Sequence, residues 1–96
     1  MNYFVYLIIS IRNNKVISYV GYTNNLKRRL NLHNNSKGAK FTRGGKWILI
    51  YKKSYKTKKI ALIEEYKLKK DSSMRKQIKV KYLLIKDIEG WNRLIQ

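Results

Sequence analysis

The side chains able to do chemistry are few. Of 96 residues, five are acidic: Glu64, Glu65, Asp71, Asp87 and Glu89. There is one His, His33, with eight Tyr and no Cys. The missing thiols exclude a disulfide framework, a thiolate metal site and a Cys nucleophile. A single His excludes His-rich zinc sites and His–His acid/base pairs. Two-metal phosphoryl chemistry normally needs several clustered carboxylates. Asp87 and Glu89 fall far along the chain, so composition permits at most a one-metal site built on a single carboxylate. P-loop, Rossmann and serine-triad patterns are absent. What the chain has in excess is cations: 23 Lys and Arg, for a formal net charge of +18.

The elements that must position these groups follow from periodicity. Residues 3–10 (YFVYLIIS) are aromatic and branched and read as a buried strand. Arg12-Asn13-Asn14-Lys15 is a polar turn with a loop of four to five residues, and 16–22 (VISYVGY) is the second strand of a hairpin. Gly21 has two readings there: a bulge or tight strand exit, or close approach of a ligand to the backbone. Thr23-Asn24-Asn25 starts a helix over about 24–34. At about 100° per residue, Arg29 and His33 share its apolar face with Leu26 and Leu30, and Arg28 points to the far side. An Arg on a core-facing stripe is unusual unless it is paired or serves a site.

Residues 36–46 (SKGAKFTRGGK) form a Gly-rich basic loop. An ordinary surface loop is the plain reading. The functional one has Lys37, Lys40, Arg43 and Lys46, with Arg28, contacting phosphates and Phe41 offered for base stacking. A third strand is expected over about 47–55 and helices over 57–70 and 73–88. Thr57 caps the first of these and Asp71-Ser72-Ser73 recaps the second. Glu65 falls on the packed stripe of its helix with Ala61 and Leu68, and Glu64 points away. Gly90 is a plausible stop, after which Trp91 to Ile95 would fold back as an apolar clasp. The expectation is one domain over 1–96, of α/β (α+β) class: a small three-stranded, mainly antiparallel sheet flanked by helices, in the order β-β-α-β-α-α.

Charge narrows the function. The chain is 44% hydrophobic and 12% aromatic, enough to pack a core, so it is not a disordered basic tail. The most apolar run, Tyr3 to Ile11, is far shorter than the roughly 20 residues of a spanning helix, and it lacks the flanks of a signal peptide. An intracellular, soluble protein is expected, with no membrane partner. Basic residues run along the whole chain rather than on one amphipathic helix, which favours nucleic acid over a lipid surface.

Tyr6, Tyr19, Gly21, Arg29, His33 and Glu65 together resemble the GIY-YIG nuclease superfamily, in particular its small single-domain members. The half-motifs stand here as Phe4-Val5-Tyr6 and Tyr19-Val20-Gly21. Arg29 and His33 follow at the family's spacing. SKGAKFTR at 36–43 is similar to the "GKGAKYTR" stretch of small members, and ALIEEYKLKK at 61–70 to their "AL..E..IKK" helix. The first Gly of the name is replaced by Phe4, the loop between the half-motifs is slightly longer, and the late Asn of some homing-type members has no counterpart.

The resemblance implies a metal-dependent endonuclease that hydrolyses DNA phosphodiester bonds by a one-metal mechanism. Glu65 would hold Mg²⁺, or Mn²⁺ in its place. Arg29 would bind the scissile phosphate. Tyr6 would lie near the attacking water as general base, its pKa lowered by nearby cations. Tyr19 would orient Tyr6, the water or the phosphate, and His33 would assist by hydrogen bonding or proton relay. Tyr22 belongs to the periphery. The partner would be DNA, including branched or structured DNA, with a protein partner or homodimer as a source of specificity. Two other classes stay open: a non-catalytic basic nucleic-acid-binding module on the same fold, and an RNA-bound structural protein. Arg29 together with Glu65 argues against both, because a carboxylate on a phosphate-facing surface repels the ligand of a pure binder.

Overall fold

The computed structural model describes residues 2–35, 37–38, 40–42 and 44–95, with side chains through Lys86. Seven elements follow in order: β1 (Tyr3–Arg12), β2 (Lys15–Thr23), α1 (Leu26–Asn34), a 3-10 turn (Lys40–Thr42), β3 (Ile48–Tyr55), α2 (Lys58–Lys70) and α3 (Ser72–Ile95). The strands form one antiparallel sheet in the order β2-β1-β3. This is the α+β arrangement expected from the sequence.

β1 is the central strand, and it is buried from Val5 to Ser10. Its apolar run is continuous because both faces of the sheet are covered. Val5 and Leu7 join Val20, Ala61 and Leu68 on the α2 face. Tyr6 and Ile8 join Trp47 on the other face, where Leu26 and Leu30 of α1 pack. The alternation of a strand thus sends Tyr6 toward α1 and its neighbours Val5 and Leu7 toward α2.

The hairpin is tighter than expected. Arg12 pairs with Lys15, leaving a two-residue turn, Asn13-Asn14, with φ of 51° and 64°. Two successive positive φ values are the geometry of a type I′ turn, and Asn tolerates that conformation better than most residues. The expected helix starts are present. Asn25 Oδ1 accepts from Arg28 N at 3.1 Å, Thr57 Oγ1 from Ile60 N at 3.2 Å and Asp71 Oδ1 from Met74 N at 2.9 Å. The end of α3 is a correction. The helix runs through Gly90 to Ile95, so Gly90 is no stop and Trp91 to Ile95 form no separate clasp. A lone Gly costs a helix only about 1 kcal/mol relative to Ala, and no Pro follows it. Among the described residues no helix is long and apolar enough to cross a membrane.

Candidate active site

Four polar side chains form a chain of hydrogen bonds beneath the α1 face. Arg29 Nε donates to Tyr6 Oη at 3.3 Å. Tyr6 Oη lies 2.8 Å from His33 Nε2, and His33 Nδ1 lies 2.8 Å from Thr42 Oγ1. Tyr6, His33 and Thr42 are essentially inaccessible to water. Burial pushes the Tyr6 phenol up to about 12, against the lowering effect of Arg29. Burial, with the Arg29 charge behind it, lowers the pKa of His33. Tyr6 Oη thus bridges the guanidinium and the imidazole, and the imidazole bridges Tyr6 and Thr42. The Arg29 guanidinium is shifted upward, chiefly by its bond to Tyr6, and stays charged.

This corrects the sequence expectation for Tyr6. Nearby cations were to lower its pKa; desolvation of a phenolate outweighs them. The direction of its pKa shift is what changes: Tyr6 enters the site as a buried phenol held between Arg29 and His33.

Gly21 is explained by the same phenol. Tyr6 and Gly21 are paired across β1 and β2, and a Cβ at Gly21 would overlap the Tyr6 ring and hydroxyl. The strand neither bulges nor ends there, so the first of the two readings does not apply: the missing side chain makes room for Tyr6. Gly21→Ala is therefore expected to destabilise the fold by about 1–3 kcal/mol, as overpacking does, and to displace Tyr6 Oη from His33. Urea unfolding checks it; equal or greater stability in the variant would refute the packing account.

Neutral His33 makes the fold acid-sensitive. Its folded pKa lies below the ordinary value of 6.5, so the unfolded chain binds the proton more readily. Its contribution is complete above about pH 6.5 and declines as the pH falls below that value. The Tm is expected to drop between about pH 6.5 and pH 5, above the range where most carboxylates titrate. His33→Gln should start lower and respond less across this window. A flat wild-type profile would contradict the assignment.

Beside this buried chain lies an open cleft of about 390 Å³, lined by Tyr19, Tyr22, Thr23, Asn24, Arg29 and Glu65. Tyr19 and Thr23 share the sheet face of Gly21 and Tyr6, whereas Tyr22 and Glu65 come from the α2 side. β2 is an edge strand, and at that edge groups from both faces meet. The Glu65 side chain is 18% exposed and pairs with Lys69, Oε1 to Nζ 3.7 Å. The ordinary helix ion pair and a place on the cleft coexist in this one carboxylate. Glu64 pairs instead with Lys67 at 3.4 Å.

Of the residues singled out from sequence, Tyr19, Arg29 and Glu65 thus meet on the cleft, while Tyr6, His33 and Gly21 lie behind it. Arg28 and Lys37 border a separate hollow on the outer side of α1. Lys40 and Lys46 are exposed, and Arg43 lies outside the described residues. Sequence reasoning missed Thr42 as the partner of His33, and Gly38, where a Cβ would collide with the His33 ring. It also missed Thr23 and Asn24 as cleft residues, having read them only as a helix start.

The GIY-YIG catalytic domain pattern matches residues 2–78. The chain belongs to the GIY-YIG family. It is similar to small proteins named UPF0213. One from Bacillus licheniformis is 38% identical over 86 residues, covering 88% of this chain and 84% of that one. Another, from Oceanobacillus iheyensis, is 50% identical over 52 residues, 53% of this chain and 60% of the relative. The solution NMR structure of a UPF0213 protein from Bacillus halodurans is 35% identical and covers 85% of each chain, with a TM-score of 0.46.

Proposed function

We propose that this protein is a divalent-metal-dependent endonuclease acting on DNA. The carrying observation is the meeting of Arg29 and Glu65 on one cleft at the β2 edge. A guanidinium fork suits a phosphodiester, and a carboxylate beside it has no use in simple phosphate binding.

The donor set fits a small hard cation. Glu65 is a carboxylate on an open, polar cleft that Tyr19, Tyr22, Thr23 and Asn24 also line. Among the described residues no three His, Asp or Glu cluster. One carboxylate with room for water is how Mg²⁺ is commonly held. Glu65 would hold Mg²⁺ or Mn²⁺, and such an ion supplies charge neutralisation at the phosphate and leaving oxygen. Arg29 binds the phosphate and meets the charge of the transition state. Tyr19 presents its phenol to the cleft and orients the attacking water. Tyr6 acts through Arg29 and His33 as a positioning residue. Thr42 and His33 fix the phenol that fixes the guanidinium.

The test is incubation of the full chain with supercoiled plasmid, forked duplex and single-stranded DNA, with Mg²⁺, with Mn²⁺ and with EDTA. Cleavage in either metal that EDTA abolishes is the expected result. Tight, salt-sensitive binding with no cleavage in any metal would favour the basic binding module instead.

A further inference from the structure

Phe41 is an exposed aromatic side chain that the cleft chemistry leaves unused. It is 57% exposed, although its ring contacts two other aromatics. The 3-10 turn that carries it is anchored at Thr42, whose Oγ1 meets His33 and whose carbonyl accepts from Trp47 Nε1 at 2.8 Å. The Phe41 ring stacks on Tyr19, with centroids 6.3 Å apart and planes 21° apart. It also rests against Trp47 at 6.2 Å and 48°. Its inner side is therefore fixed by two aromatics, one of them a wall of the cleft, while more than half of the residue faces water. Lys40, its neighbour in the turn, is exposed.

We infer that the outer face of Phe41 is a nucleobase subsite. A base adjoining the phosphate held at Arg29 leaves its own stack and lies on Phe41, extending the Tyr19–Phe41 stack by one ring. The substrate class is then nucleic acid in which a base beside the cleft is unpaired or readily splayed. This deepens the endonuclease reading and rests on it. Stacking on an aromatic tolerates any base, and losing it weakens binding by about 5–150-fold. The turn is positioned through His33, so the subsite and the guanidinium are registered by one hydrogen-bonded network.

The experiment is equilibrium binding in EDTA, where no cleavage intervenes, to single-stranded and duplex oligonucleotides carrying 2-aminopurine, whose fluorescence is quenched by stacking. The wild-type protein is expected to quench the single-stranded probe. Phe41→Ala should lose the quench and bind that probe about 5–150-fold more weakly, and Phe41→Tyr should restore both. Phe41→Leu, which keeps an apolar cover over Tyr19 without a ring, should behave like Phe41→Ala. Unchanged duplex binding by all three variants reports that they are folded. Wild-type quenching and affinity in Phe41→Ala, or full rescue by Phe41→Leu, would overturn the subsite and leave the endonuclease reading standing. Failure of the wild-type protein to bind either probe would overturn both.

Discussion

Glu65→Gln is expected to reduce cleavage by about 10³-fold, the upper range for losing one group that stabilises transition-state charge, without weakening the hold on DNA. The substitution keeps the side chain's shape and removes its charge. Its ion pair with Lys69 is partly solvated, and pairs of that kind contribute only about 0–1 kcal/mol, so the fold should survive. Among the described residues no second cluster of acids could take over a metal. Affinity should stay equal or rise, because a negative charge has left a cleft that receives phosphate. Plasmid nicking and fluorescence anisotropy, measured on the same preparations, separate the two effects. Wild-type cleavage by Glu65→Gln would remove the metal-ligand assignment. A parallel loss of cleavage and affinity would point to misfolding, which the Tm would reveal.

Much of this site could be read from residue types and spacing, and the parts that could not have a common physical cause. The turn of α1 that places Arg29 and His33 with Leu26 and Leu30 is local geometry, and the structure keeps all four on the sheet side, with Arg28 exposed. β1 was legible as buried because its run is apolar on both faces. The three helix caps are short-range side-chain contacts and were legible for the same reason. Strand order is not local. With β2 at the edge, Arg29 from one face and Glu65 from the other reach a shared cleft around it, and no wheel or alternation pattern contains that fact. Gly21 faces Tyr6 only through cross-strand register. The pKa direction of Tyr6 depends on the depth of burial that tertiary packing creates, which composition does not record. Thr42 needed the loop to fold back onto His33 before its hydroxyl acquired a role.

Arg29 and Arg28 give the second large contrast, because they are adjacent on α1, carry the same charge and face opposite ways. Arg29→Ala is expected to lower the cleavage rate by about 10²–10³ and to weaken binding, since a phosphate contact and transition-state charge are lost together. The fold should tolerate it: Tyr6 Oη keeps its bond to His33 Nε2, so no buried phenol is orphaned. Arg29→Lys restores the charge but not the fork, nor the Nε–H that Tyr6 accepts. It should recover much of the binding and little of the rate, as an ammonium does not reproduce bidentate geometry. Arg28→Ala, exposed beside the hollow it shares with Lys37, should leave the rate near wild type. If Arg28 meets a duplex phosphate, the log–log salt slope should become shallower by about 0.9. The comparison is made with single-turnover rates and salt titrations on one substrate. Equal rate losses in Arg28→Ala and Arg29→Ala would mean that net charge, and not the Tyr6-held guanidinium, governs the reaction. Arg29 would then be one basic surface residue among many, and the buried chain from Arg29 through Tyr6 and His33 to Thr42 would be a structural device alone.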